Sequence, residues 1–358
     1  MNKKRYFTGS IVFLANILFF TSFQPTFHTT PYQFPALVNF PKMPGNSDNP
    51  VTIEGASLGK FLFYDPILSR DSTFSCSSCH KQSAAFSDSP NRFSKGLYGD
   101  LMSRNTPALF NLAWYPALFW DGRVNSIEQQ IFTPVRRHDE MNLTWSMVEK
   151  RINASKFYVE KFKEAFGEQR IDSILISKAI AQFLRTLLSY RSKYDKVLRG
   201  EAEYTKFEYE GLILVNDQTR GNCLQCHTTD ADGLGTTLKF SNNGLDSAYT
   251  ITDYKDAGRG VITGKASDYG KFKIPSLRNV ALTAPYMHDG RFKTLKEVLD
   301  FYSNGVHNSV NIDSKMAFVN RRGMHLTELE KQKIIAFLYT LTDSTFIKDP
   351  EFRNPFVK

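Results

Sequence analysis

All four cysteines of the chain fall into two identical frames, Cys76-Ser-Ser-Cys79-His80 and Cys223-Leu-Gln-Cys226-His227. C-x-x-C-H is the attachment signature of c-type haem. Two thiols form thioethers with the porphyrin vinyl groups, and the adjacent imidazole reaches the iron as proximal ligand. The rival readings are weaker. A structural zinc site groups four ligands, whereas each frame supplies three. A thioredoxin-like dithiol has no need of the histidine. Two disulfides would leave the repeated histidine without a reason. The expectation is therefore two covalent c-type haems, held by Cys76, Cys79 and His80 and by Cys223, Cys226 and His227. A chain organised round such groups folds as a few helices with long loops about each one.

With 358 residues there is room for two such units. Hydrophobic residues at 41% and charged residues at 23% fit a globular protein and argue against disorder. The N-terminus differs from the rest. Lys3, Lys4 and Arg5 precede an apolar run from about Ile11 to Phe23, which has the length of an export signal rather than of a membrane span. No small-x-small cleavage site follows, so residues 1–25 are read as a signal peptide or an uncleaved anchor. The expected location is periplasmic, with membrane attachment only if this segment stays. No cysteine follows the run, which excludes a lipoprotein anchor. The net charge of +9 includes three charges from this segment, and no basic run is interleaved with aromatics. The excess reads as solvated surface, with no nucleic-acid partner.

A second repeat lies beyond the haem frames. TPALFNLAWYPALFWDGR (residues 106–123) matches IPSLRNVALTAPYMHDGR (residues 274–291) at a constant offset of 168, with Pro107, Leu109, Asn111, Asp121, Gly122 and Arg123 recurring as Pro275, Leu277, Asn279, Asp289, Gly290 and Arg291. Repeats of this size mean two similar domains. Apolar spacing predicts a helix over 171–188, leading to a boundary near residue 200. The division is a linker over 26–49, an N-terminal domain over 50–200, a C-terminal domain over 201–345, and a tail over 346–358.

Thr294 and Glu297 form a capping box that starts a helix at Leu295. Leu295, Val298, Leu299 and Tyr302 then share its buried face. Three residues near this turn could ligate the second iron: Met287, His288 and Tyr302. The residue pattern alone leaves them equal. Ser126 and Gln129 make a similar start for a helix that puts Ile127, Gln130 and Ile131 on one face. A glutamine on an apolar face needs a hydrogen-bond partner. Glu140, ten residues on, is otherwise a surface acid beside Asp139.

Two C-x-x-C-H frames, F-W-D-G-R in the first half and R-N-V-A-L-T-A-P-Y-x-H-D-G in the second resemble the bacterial dihaem cytochrome c peroxidase and MauG family over roughly residues 50–345. The resemblance implies a mainly α fold of two cytochrome c-type domains, each with one covalent c-type haem, the haems facing a domain interface. It implies a peroxidatic first haem and an electron-transfer second one. The place of the family's second-haem methionine falls on Tyr302, and the MauG branch carries tyrosine there as an axial ligand. Such a ligand favours ferric iron and lowers the potential. Many of the peroxidases have a distal histidine between the first frame and F-W-D-G-R. Here that place is near Gly96, so the first iron is expected to be five-coordinate, with His138 the remaining candidate ligand. By spacing, Glu140 becomes the acid–base, Gln130 positions peroxide, and Trp120 lies between the haems as an electron relay. The resemblance also implies a calcium ion held by the Asn105 side chain and the Thr283 and Pro285 carbonyls, which are hard oxygen donors. Asp121, Arg123, Asp289 and Arg291 are read as turn, salt-bridge or propionate contacts.

Two functions follow. One is a peroxidase that reduces hydrogen peroxide with electrons from a small redox protein, a cytochrome c or a cupredoxin, and that pairs as a homodimer as many of the family do. The other is a MauG-type enzyme that oxidises residues of a protein partner. Against the second stands Gly221, where MauG has a surface tryptophan. A plain electron carrier would have no use for Glu140 at an open site.

Overall fold

The computed structural model describes Met1 and residues 28–167, 170–229, 233–316 and 323–357. The expected export segment therefore lies outside the described residues, apart from Met1. Among the described residues the fold is mostly helical, with one two-stranded antiparallel ladder. No described helix is long and apolar enough to cross a membrane.

The first half opens with α1 (Ile53–Tyr64), whose N-terminus is capped by the Thr52 hydroxyl accepting from Gly55 N–H. After α2 (Cys76–Cys79) come α3 (Ile127–Arg136), α4 (Trp145–Ala154), α5 (Lys156–Phe166) and α6 (Ser173–Thr186). The last agrees with the helix expected over 171–188, and Asp172 caps it by accepting from Leu175 N–H. α1 packs on α6, with Gly59 against the Ala179 carbonyl and Phe63 5.4 Å from Phe183.

The second half repeats this arrangement. α7 (Lys193–Leu198) leads into α8 (Lys206–Asn216), which packs on α11 (Glu328–Thr340) with Gly211 against the Lys333 carbonyl. Between them lie β1 (Phe240–Ser241), α9 (Arg259–Thr263), β2 (Phe272–Lys273) and α10 (Leu295–Asp300).

The sequence echo is also an echo of backbone. Asn111 and Asn279 both adopt left-handed φ, 53° and 55°, ahead of matching single turns. Phe119 and Met287 do the same at 63° and 73°. The bridges Leu118–Val124 and Tyr286–Phe292 close equivalent turns. Ser126 then caps α3 and Thr294 caps α10, again at equivalent places.

Two apolar cores result. The first contains Leu58, Phe63, Ile131, Phe162 and Ile180, and is completed by Phe346 and Phe352 from the far end of the chain. Phe346 is fully buried, 5.6 Å from Phe86. Burying a side chain of this size is worth about 1.5–3 kcal/mol. The second core gathers Tyr194, Val215, Leu299, Ile334 and Phe337. Residues 34–43 run across the junction, where Phe34, Leu37, Phe40 and Met43 pack with Trp114, Leu188 and Leu234. Trp114 Nε1 donates to the Pro41 carbonyl at 3.0 Å.

Candidate active site

Each haem frame opens onto a large cavity. Cys76, Cys79 and His80 line the first, which holds about 2240 Å³ of empty volume, solvent mouth included. Cys223, Cys226 and His227 line the second, at about 1930 Å³. None of the four cysteines is in a disulfide. Burial pushes the Cys76, Cys79 and Cys223 thiols up to about 12, unlike a reactive redox pair. His80 Nδ1 lies 2.8 Å from the Phe86 carbonyl and His227 Nδ1 2.9 Å from the Pro275 carbonyl. With Nδ1 occupied, Nε2 is the nitrogen left to ligate. Burial lowers the affinity of both rings for a proton, to a pKa of about 4 for His227, so each is neutral as a ligand must be.

Each cavity takes walls from both halves. Asp246, Tyr254 and Asp256 line the first, while Thr106, Tyr115 and Trp120 line the second. Asn105 and His288 line both. Trp120 is 9% exposed, and its Nε1 donates to the Asn105 carbonyl at 2.7 Å. Arg104 ties the halves together. It donates to both oxygens of Asp256 at 2.7 Å and to Asp121 at 2.6 Å. Asp121 also pairs with Arg123, and Asp289 with Arg291.

Gln130 and Glu140 both line the first cavity. Gln130 Oε1 is buried without a protein partner. Burial raises the Glu140 pKa and Asp139 adds to the rise, while Arg137 and Arg123 oppose it. Arg137 Nε stands 3.1 Å from Glu140 Oε1. The Glu140 loop is clamped by its backbone: Leu97 N–H donates to the Glu140 carbonyl at 3.1 Å. Gly96 touches the same loop so closely that a Cβ there would collide with the Asp139 carbonyl. His138 is exposed, packs on Tyr98, and does not line the cavity. As a ligand candidate it is therefore set aside.

At the second cavity, Met287 and Tyr302 come together at a residue that no motif marks, Asn243. Its Nδ2 donates to Tyr302 Oη at 3.0 Å and lies 3.7 Å from Met287 Sδ. Tyr302 lies just past α10, in a π-helical turn (Phe301–Gly305), and burial pushes its phenol up to about 12. His288 sits elsewhere, at the partition. Its ring stacks on Phe272 at 3.6 Å, and Nε2 is 3.9 Å from Asp256. Carried further along the repeat, the offset that pairs Ser126 with Thr294 pairs Pro134 with Tyr302. Pro134 lines the first cavity. A side chain that can ligate metal thus stands in one half where its counterpart has none.

A family model for di-haem cytochrome c peroxidase matches residues 53–203. The cytochrome c551 peroxidase of Nitrosomonas europaea is 34% identical over 319 residues, covering 88% of this chain and 87% of that protein. The methylamine utilization protein MauG of Methylophilus methylotrophus is 33% identical over 304 residues, covering 84% of this chain and 85% of that protein. The chain belongs to the di-haem cytochrome c peroxidase family. A crystal structure of a MauG-like protein associated with microbial copper homeostasis shares the fold with a TM-score of 0.81 at 34% identity, covering 91% of this chain and 100% of that one.

Family membership makes the chain a peroxide-dependent oxidoreductase and implies two c-type haems. The residues present fit them: each cavity supplies two thiols and one imidazole with its Nδ1 already engaged. Asn105, Thr283 and Pro285 share the wall of the second cavity. Asn105 Nδ2 donates to the Arg92 carbonyl at 3.1 Å, and among the described residues no hydrogen bond to its Oδ1 is seen.

Proposed function

We propose that this protein is a di-haem peroxidase that reduces hydrogen peroxide to water in the periplasm with electrons from a small redox protein. Bound haem supplies the redox iron at each cavity. The observation that carries the reading is that a buried, orphaned Gln130 Oε1 and the half-buried Glu140 both line the first cavity. Glu140 takes a proton from one peroxide oxygen and delivers it to the other, which leaves as water. Gln130 accepts a hydrogen bond from peroxide and orients it. With two electrons and two further protons, both oxygens end as water. Trp120, which lines the second cavity and donates to Asn105 at the wall common to both, relays electrons. Tyr302, which lines the second cavity, would be the ligand offered to the second iron.

The second reading is a MauG-type enzyme acting on a protein partner. What favours it is Tyr302 at the second cavity, together with MauG and a MauG-like protein among the similar chains. Against it stands Gly221, whose Cβ would run into the Leu214 carbonyl, leaving no room for a surface tryptophan there. Mixing ferric holoprotein with peroxide, with and without a reduced small cytochrome, separates the two. Rapid oxidation of the cytochrome is expected. A long-lived oxidised state with no cytochrome turnover would favour the MauG-type reading instead.

Calcium is proposed at Asn105 Oδ1 and the carbonyls of Thr283 and Pro285, all neutral oxygens suited to a hard cation. Elemental analysis of the purified protein is expected to give about one calcium per chain. Its absence after dialysis against calcium-containing buffer would remove this site.

A further inference from the structure

The β1–β2 ladder brings one more charge to the partition. Lys273 is 8% exposed, and its backbone N–H donates to the Trp120 carbonyl at 2.8 Å. Its Nζ lies 4.5 Å from the centre of the Tyr115 ring and 5.9 Å from that of Trp120. The side chain lines the second cavity. Among the described residues no carboxylate lies within ion-pair distance of it. Nearby cations are served differently: Arg104 has Asp121 and Asp256, Arg278 has Asp195, and Arg291 has Asp246 and Asp289.

A buried ammonium is costly unless paired, and two aromatic faces only partly replace its lost water. Burial alone pushes the Lys273 pKa down to about 8. The compensating charge is therefore expected from whatever fills the cavity. The carboxylates that a c-type haem carries are its propionates.

We propose that Lys273 is the anion seat of the second cavity, holding a haem propionate beside the Trp120 indole and so positioning the two for electron transfer. This rests on the di-haem reading of the site. Lys273 is a positioning residue, acting through the propionate and Trp120. Its effect is electrostatic. A cation near the second iron favours the ferrous form, and removing it leaves the propionate charge uncompensated, which favours ferric.

The test uses full-length holoprotein and spectroelectrochemical titration. Lys273→Met is expected to shift the ferric/ferrous equilibrium of the second haem about tenfold toward ferric, a fall of about 59 mV for one electron. The first haem is expected to move by less than half as much, and Lys273→Arg to stay within about twofold of wild type. An unchanged second-haem equilibrium in a Lys273→Met protein carrying both haems overturns the proposal. Should that variant fail to take up haem, a crystal structure of the wild-type holoprotein decides. A propionate oxygen within hydrogen-bond distance of Nζ supports the seat, and none within about 4 Å overturns it. A wild-type chain whose intact mass lacks both haems overturns the site reading itself, and the seat with it.

Discussion

Glu140→Gln is expected to slow the reaction of ferric holoprotein with hydrogen peroxide by about 10²–10⁴-fold, the usual share of a positioned acid–base. The substitution keeps the shape of the side chain and a hydrogen-bonding end, and removes the ability to cycle a proton. The pH dependence carries a second signature. Glu140 must be ionised to accept the first proton, and burial holds its pKa above the ordinary 4.5. The wild-type rate should therefore fall as pH drops through that raised value, and this acid limb should vanish in Glu140→Gln. Arg137 opposes the rise from 3.1 Å, so Arg137→Gln should move the limb to higher pH. Stopped-flow absorbance across pH measures both. A Gln variant that reacts at the wild-type rate would strip Glu140 of this role.

Arg278→Met is expected to be the most damaging single change to stability, at about 3–5 kcal/mol, because it strands a buried carboxylate. Arg278 and Asp195 are 2% and 4% exposed. Arg278 Nη1 donates to Asp195 Oδ2 at 2.9 Å, Nη2 donates to Oδ1, and Nε donates to the Gly233 carbonyl. The guanidinium also lies 4.8 Å from the centre of the Phe40 ring. One residue thus joins α7, the repeated P-x-L-x-N segment and the strap across the junction. The Asp195 pKa is held below its ordinary 3.8 by Arg278 and Ser192, against burial. Its contribution is present above that ordinary value and is lost as pH falls through the depressed one. Adding Asp195→Asn to Arg278→Met should recover a large part of the loss, since the buried charge is gone. Urea midpoints of the holoproteins at neutral pH test this. If the double variant is no more stable than Arg278→Met, lost packing rather than stranded charge is the cause.

Much of this architecture was readable from local pattern. The haem frames are contiguous, and the caps at Ser126 and Thr294 are set by residues three or four positions apart. The offset that aligned two D-G-R turns also predicts matching backbone at Asn111 and Asn279. Carried further, it would have paired Pro134 with Tyr302. The partition between the cavities was not readable. Asn243, Arg104, Asp256 and Lys273 belong to no periodic segment, and each gains its meaning from a partner far along the chain: Asn243 from Tyr302, Arg104 and Asp256 from each other, and Lys273 from Trp120. Tyr302 itself was placed by helical spacing, yet it sits in a π-helical turn that follows α10. The contact between Gly96 and the Glu140 loop likewise joins loops that periodicity does not describe.

The first core is finished by residues up to 288 positions beyond Tyr64 along the chain. Tyr64 Oη donates to the Phe352 carbonyl at 2.6 Å, Lys60 Nζ to the Glu351 carbonyl at 3.0 Å, and Tyr32 Oη to Glu351 Oε1 at 2.7 Å. During synthesis the opening half emerges long before Phe346 and Phe352 exist to plug it. Until those residues dock it therefore remains an unsealed shell with apolar surface showing. Its first thiol pair stays on a loosened scaffold for the same interval, which gives haem a way in before the closing aromatics lock the wall.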